Sequence, residues 1–137
     1  MTNGPGSVLD ASALRAYLQD EPGSLVVGEA LALGAAISAG NLAEVLSKLV
    51  DGTGQLIDSV IRRLRELGLI GGLLMVLPLA EEDAVTIARL RPATRPQGLS
   101  LADRACIATG LRLGLPILTS DRGWETLAPE ATIRVIR

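Results

Sequence analysis

The stretch from Ser7 to Leu14 constrains the fold of this chain more than any other. A short apolar run, Val8-Leu9, leads directly into Asp10, and Ser12 then opens a helical pattern of alanine and leucine. This order predicts a buried parallel strand that ends on a carboxylate, followed by a helix with Ser12 as its N-cap. Because chemistry in open α/β sheets collects beyond the carboxyl ends of the strands, we expect Asp10 to mark an active site.

The rest of the chain repeats this alternation of short strands and helices. We predict strands at 7–9, 35–38, 73–77, 116–119 and 132–136, and helices at 12–20, 24–33, 41–51, 55–67, 81–90 and 100–113. Asn41 is the predicted cap of the third helix, and 91–98 is a predicted loop with two prolines. The alternation indicates a parallel sheet with right-handed crossovers, in a single domain over 7–137 behind a flexible leader of residues 1–6.

Composition excludes several kinds of chemistry. The chain has no histidine, which excludes a Ser-His-Asp triad and a histidine-ligated zinc site, and Cys106 stands alone, which excludes an intrachain disulfide. The net charge of -2 gives no sign of bulk attraction to nucleic acid, so any basic surface must be local. The apolar run at 67–80 is shorter than the ~20 residues of a membrane helix, and no signal peptide is recognisable; we expect a cytoplasmic protein without membrane contact.

Four acids occupy related positions in this pattern. Asp10 and Asp121 each follow a predicted strand, whereas Glu44 and Asp103 lie near the starts of predicted helices. Each has a structural alternative, as a turn former, a cap or a solvated helix residue. Four carboxylates around one small volume would repel each other, and Mg²⁺ or Mn²⁺ would relieve that repulsion because hard cations prefer oxygen ligands. Such a cation can polarise a phosphate and activate water without histidine.

Four motifs carry these acids. They are Val8-Leu9-Asp10-Ala11-Ser12-Ala13-Leu14, Ser38-x-x-Asn41-x-x-Glu44, Leu101-Ala102-Asp103-x-x-Cys106-Ile107-Ala108 and Leu118-Thr119-Ser120-Asp121. In this order they resemble the acidic motifs of PIN-domain nucleases, most closely the VapC-type toxins of bacterial toxin–antitoxin pairs. The chain departs from that pattern at Asn41, where Ser or Thr is common, at Arg104, where Ala is usual, and at Trp124, where Phe is frequent. No departure removes a carboxylate.

The resemblance implies an α/β fold of three layers, α/β/α, around a central parallel sheet in the order 3-2-1-4-5. It also implies a Mg²⁺-dependent (or Mn²⁺-dependent) endoribonuclease that serves as the toxin of a VapBC-type pair. Asp10, Asp103 and Asp121 would ligate the metal, and Glu44 would orient water or hold a second ion. Ser12 and Thr119 would support them by hydrogen bonds.

The same resemblance implies partners. These are an RNA substrate, a VapB-like antitoxin that blocks the acidic cleft, and a second copy of the chain in a homodimer. The apolar helices at 24–33 and 55–67 would supply part of the antitoxin or dimer interface.

An RNA backbone also requires positive charge near the cleavage site. Arg104 and Arg122 are the candidate substrate contacts because each adjoins one of the four acids. The cluster Arg62-Arg63-Arg65 is either a solvated helix face or an RNA contact surface. Trp124 either stacks on a base or belongs to the core or an interface.

Three alternatives to the nuclease remain at this point. One is a catalytically inactive PIN-like module that binds RNA or protein. A phosphatase of the haloacid dehalogenase type would need a second aspartate where this chain has Ser12, and a response-regulator receiver would need a lysine after a late strand. The only lysine is Lys48.

Overall fold

The computed structural model describes residues 4–127 and 130–137. Its strands are β1 (Ser7–Leu9), β2 (Ala35–Ser38), β3 (Leu74–Leu77), β4 (Ile117–Thr119) and β5 (Ile133–Val135). Its helices are α1 (Ala11–Leu18), α2 (Ser24–Ala32), α3 (Ala39–Thr53), α4 (Ile57–Glu66), α5 (Glu81–Thr94) and α6 (Leu101–Leu113), with short 3₁₀ helices at Arg95–Gln97 and Arg122–Thr126. Residues 1–3 of the predicted leader lie outside the described residues.

The strands form one parallel sheet in the order β3-β2-β1-β4-β5. Val8 of the central strand lies opposite Ala36 on one side and Ile117 on the other. This confirms the predicted order and differs from the 2-1-3-4-5 order of receiver domains. It also places the ends of β1 and β4 side by side, as the convergence of Asp10 and Asp121 requires.

Helices cover both faces of the sheet because successive strand residues point to opposite sides. Leu9 and Ile37 pack with side chains of α1 to α4, whereas Val8 packs with Ile107 of α6 and with Trp124. The short strands are therefore apolar on both faces, as expected of a parallel sheet between two helical layers. The predicted three-layer α/β/α architecture is confirmed.

Two predicted helix caps are wrong by a few residues. Asp10, rather than Ser12, caps α1, and its Oδ1 accepts the amide of Ala13 at 2.8 Å. Ser38, rather than Asn41, caps α3, and its Oγ accepts the Asn41 amide at 3.1 Å. The strands pass into helices without a loop, so the residue after β1 and the last residue of β2 serve as caps.

Helices α5 and α4 also differ from the prediction. The predicted loop at 91–98 is helical as far as Thr94, although Pro92 lies within the last turns. Pro92 and Ala88 are both exposed, so water can reach the carbonyl that the proline leaves without an amide partner. Helix α4 begins at Ile57 rather than at residue 55, and the two apolar residues at its start, Leu56 and Ile57, are exposed, at 75% and 47% accessibility.

The apolar run at 67–80 contains a turn and the strand β3, in which Leu74 is buried and Met75 is exposed. Among the described residues, no helix is both long enough and apolar enough to cross a membrane.

Candidate active site

Asp10 lies at the end of β1 and is almost fully buried, with 4% of its surface accessible. Its Oδ1 accepts hydrogen bonds from the Ser12 hydroxyl at 2.7 Å and from the Ala13 amide at 2.8 Å. Its Oδ2 accepts a hydrogen bond from the Thr119 hydroxyl at 2.6 Å, across the pair formed by β1 and β4. Both side chains that were expected to support the site, Ser12 and Thr119, thus contact this carboxylate.

Burial dominates the electrostatics of Asp10. It raises the pKa of the carboxyl from 3.8 to about 6, because removal from water disfavours the charged form. The three hydrogen bonds oppose that rise, and the negative charge of Asp103 adds to it. Asp10 is therefore a carboxylate whose ionised form would gain from a nearby cation.

Asp103 is held in the first turn of α6 by a capping box. The Ser100 hydroxyl accepts the Asp103 amide at 3.1 Å, and Oδ2 of Asp103 accepts the Ser100 amide at 3.0 Å. Each residue thus satisfies a backbone amide of the other at the start of the helix. The same turn is tied to α3, since Nδ2 of the fully buried Asn41 donates to the Ala102 carbonyl at 2.9 Å.

Glu44 and Asp121 complete the set of acids. Glu44 lies on α3 with 28% of its side chain accessible, and its Oε1 is 3.9 Å from Nζ of Lys48. Asp121 follows β4 and caps a 3₁₀ helix, with Oδ1 accepting the Gly123 amide at 2.9 Å. Its own amide donates to the Thr119 hydroxyl at 3.1 Å, which links it to the Asp10 network.

All four acids line one cavity of about 290 Å³. The other lining residues are Ala11, Ser12, Arg15, Lys48, Ser100, Ser120 and Trp124. The predicted convergence of Asp10, Glu44, Asp103 and Asp121 is thus what the fold produces.

The four acids line one cavity but are not arranged around a single point as the ligands of a metal ion would be. Within the described part of the chain, no three Asp, Glu, His or Cys side chains are grouped closely enough to hold an ion as they stand. Local hydrogen bonds explain this, because Asp10, Asp103 and Asp121 each direct an oxygen to a cap amide. The four acids line one cavity, and the expectation that they cluster within reach of one or two cations stays a prediction.

The two predicted substrate arginines differ in placement. Arg104 is buried between α6 and α5, where it donates to the Ile87 carbonyl at 2.9 Å, and its Nε has no partner among the described residues. The prediction that Arg104 contacts the substrate is wrong, because its side chain does not reach the acidic cavity. Arg122 is exposed beside Asp121 but does not line the cavity, and its role stays a prediction.

Trp124 and Cys106 belong to the core. Trp124 is 2% accessible and packs with Val8 and Ile117, which favours the core alternative over base stacking, although its edge borders the cavity. Cys106 is fully buried, and desolvation raises its pKa well above the usual value, with further contributions from Asp10 and Asp103. A thiol in this state is a packing residue rather than a nucleophile.

The sequence predictions missed three residues of the site. Asn41 was expected to be a cap, and its hydrogen bond to α6 depends on a contact 61 residues away. Arg15 and Lys48 were not assigned to the cavity, although each lies about one helical turn beyond a cavity residue, Ala11 and Glu44 respectively. That spacing is a signal that the sequence does carry.

The fold and the cavity define an α/β protein with an acidic site at the carboxyl ends of its central strands. Residues 7–129 match the family model of the PIN domain, and the chain belongs to that family. No curated protein gives a significant match to the sequence.

Solved structures share this fold at low sequence identity. FitAcB from Neisseria gonorrhoeae is 23% identical, with a TM-score of 0.69 and coverage of 95% of this chain and 97% of that chain. VapBC-1 from nontypeable Haemophilus influenzae is 17% identical, with a TM-score of 0.72 and coverage of 95% and 97%. A toxin–antitoxin complex from Klebsiella pneumoniae is 16% identical, with a TM-score of 0.69 and coverage of 96% and 98%.

Proposed function

We propose that this protein is a metal-dependent endoribonuclease, the toxin of a VapBC-type pair, which hydrolyses RNA phosphodiester bonds in the acidic cavity. The observation that carries the proposal is the placement of Asp10, Glu44, Asp103 and Asp121 around one cavity of a PIN domain. Membership of the PIN family and the likeness to toxin–antitoxin structures support it.

The donor set fits Mg²⁺ or Mn²⁺ by its chemistry. The ionisable groups that could serve as ligands are carboxylates, and hard divalent cations prefer oxygen. The raised pKa of Asp10 points the same way, because a bound cation would offset the cost of its buried charge. Asp10, Asp103 and Asp121 would hold the ion, and Glu44 would orient water beside it.

The ion, when bound, would polarise the scissile phosphate and favour deprotonation of the attacking water. The protein's own residues do the positioning. Ser12 and Thr119 fix the Asp10 carboxylate from both sides, so that it enters the cavity in one orientation. Asn41 and Ser100 hold the first turn of α6 and with it Asp103.

Cleavage of a structured RNA tests this function. Wild-type protein should cleave it with Mg²⁺ or Mn²⁺ and not with EDTA. Asp10→Asn and Asp103→Asn should each lower the rate by at least about a hundredfold, since each removes charge from the site that stabilises the transition state. Asp58→Asn, an exposed acid at the start of α4, is the matched control and should cleave at the wild-type rate.

Equal rates for wild type and both site variants would overturn the assignment of Asp10 and Asp103 as catalytic residues. RNA binding without cleavage by pure wild-type protein would favour the inactive PIN-like module instead.

We also assign the antitoxin a surface. A groove of about 650 Å³ lies between α1 and α2, with Tyr17, Gly28 and Leu67 among its lining residues. Three large apolar residues that line it are exposed, Tyr17, Leu25 and Leu67, at 39%, 83% and 51% accessibility, and contiguous exposed apolar surface is typical of an interaction site. A VapB-like antitoxin is the occupant we propose, because the likeness includes a toxin–antitoxin complex.

A further inference from the structure

We propose that Arg15 and Lys48 anchor the phosphates of the RNA strand that flank the scissile phosphate. The inference rests on the proposed nuclease function and names the substrate contacts of its site. It starts from the charge balance of the cavity, in which four carboxylates face two basic side chains. Among the described residues that line the cavity, Arg15 and Lys48 are the only cations.

Each of the two basic residues lies one helical turn beyond another residue that lines the cavity. Arg15 lies four residues beyond Ala11 on α1, and Lys48 lies four residues beyond Glu44 on α3. Four residues advance about 6 Å along a helix and return to nearly the same face. Because all four residues line the cavity, Arg15 and Lys48 each lie on the side of their helix that faces it. The cavity wall thus carries two basic side chains, on separate helices, beside its four acids.

An RNA strand fits this arrangement better than it fits the acids alone. The four acids would repel phosphates on either side of the one that is cut, since Coulomb repulsion between like charges is long-ranged at low salt. The two cations on the cavity wall offset that repulsion where the flanking phosphates would lie. Neither of the arginines that sequence adjacency suggested lines the cavity, because Arg104 is buried between α5 and α6 and Arg122 lies outside.

Lys48 is only loosely paired with Glu44 and can exchange this partner for a phosphate. Its Nζ is 3.9 Å from Oε1 of Glu44, beyond the roughly 2.7–2.9 Å of a charge-assisted hydrogen bond. Its side chain is 53% accessible. An exposed pair of this kind contributes little to stability, so an approaching phosphate can draw the ammonium away from Glu44 at small cost.

The salt dependence of RNA binding tests the assignment. The parent protein is the Asp103→Asn variant, which should bind RNA without cleaving it. Its binding to a fluorescein-labelled RNA hairpin is measured by fluorescence anisotropy in the presence of Mg²⁺ over a series of KCl concentrations. Lys48→Met and Arg15→Met in this background should each weaken binding roughly twofold to fivefold at low salt. Each should also reduce the slope of log affinity against log salt by about 0.7–0.9, one phosphate contact.

Two variants separate a phosphate contact from other effects. Lys48→Arg keeps the charge and should restore the parent slope. Arg134→Met removes a charge from the opposite edge of the sheet, where Arg134 lies with Gly6 and Pro116, and should leave the slope unchanged. Because Lys48 is the only lysine, its acetylation followed by mass spectrometry gives a second readout, and RNA should slow it.

The outcomes distinguish this inference from the function on which it rests. If the parent binds RNA and both methionine variants keep its slope, the anchors are wrong and the nuclease stands. A change in Mn²⁺ affinity for Lys48→Met at constant slope would mean that Lys48 only neutralises Glu44, which also overturns the inference. An equal loss for Arg134→Met would do the same. If the parent binds no RNA and wild type cleaves none, both proposals fail.

Discussion

At the scale of single residues, Asp10 combines two roles that act against each other. As the cap of α1 it gains hydrogen bonds that favour the ionised carboxylate. As a side chain that is almost fully buried it loses hydration, and this loss is the larger effect, since its pKa rises to about 6. Above that pH the free protein therefore carries an unfavourable buried charge at the centre of its sheet.

Stability in EDTA should reveal this cost. The folded-state pKa of about 6 exceeds the unfolded value of 3.8, so the contribution of Asp10 is fully present below pH 3.8 and is lost as pH rises through 6. At pH 7.5, Asp10→Asn should raise the free energy of unfolding by about 1–3 kcal/mol. Between pH 4 and 6 the variant should also lack the wild-type decline that this group causes.

Urea titrations at several pH values measure this effect, with Asp58→Asn as the exposed-acid control. A variant that is less stable than wild type at every pH would show that the hydrogen bonds of Asp10 outweigh its burial.

Sequence position could predict some of these residues and not others. Asp10 and Asp121 could be predicted because the residues that follow parallel strands meet at one edge of a sheet. Arg104 misled the prediction, because neighbours on a helix point about 100° apart and it cannot share the face of Asp103. Repulsion among the four carboxylates predicts raised pKa values, but the main cause of the rise at Asp10 is burial by residues far away in sequence, which the sequence pattern does not indicate.

At the scale of elements, the contact between α3 and α6 helps to fix the position of Asp103. Asn41 is fully buried, accepts a hydrogen bond from the Ser38 hydroxyl and donates to the Ala102 carbonyl. No element boundary in the sequence indicates this contact. The helix caps were also affected by the way the elements join. Where a strand passes directly into a helix, the cap is the residue at the end of the strand, so Ser38 has the role that was expected of Asn41.

Replacement of Asn41 by alanine should therefore be costly. It leaves the Ala102 carbonyl without its donor, and we expect a loss of about 1–3 kcal/mol in the free energy of unfolding. The rate of RNA cleavage should fall as well, because α6 carries Asp103. Chemical denaturation and cleavage assays measure the two effects. Ser47→Ala, which removes an exposed hydroxyl bond to Ala43 on the same helix, should change neither by a comparable amount.

At the scale of the whole molecule, two surfaces with different chemistry lie on one fold. The acidic cavity sits at the carboxyl ends of β1 and β4, and the apolar groove lies between α1 and α2. The sheet order and layers were predictable because short apolar strands alternate with helices along the chain. The exposure of Leu25 was not, because an apolar helix gives no indication in its own sequence of which side stays uncovered.

If the antitoxin binds in this groove, a substitution there should prevent neutralisation by the antitoxin without abolishing toxicity. Expression of wild-type protein should inhibit growth, and the product of a neighbouring antitoxin gene should reverse the inhibition. Leu25→Arg should still inhibit growth but should resist reversal, because the antitoxin would meet a large charged side chain where it would otherwise cover an apolar one. Val85→Arg, an exposed apolar position on α5, is the control and should remain reversible. Reversal of both variants alike would place the antitoxin elsewhere.

The proposed function requires that the four acids hold a divalent cation where RNA is cut. Anomalous diffraction from crystals soaked in Mn²⁺ would locate that cation. We expect a peak within roughly 2.5 Å of carboxylate oxygens of Asp10 and Asp103, inside the cavity, and its loss in Asp10→Asn crystals. A cavity without anomalous signal at saturating Mn²⁺, or a peak that persists in Asp10→Asn, would contradict it.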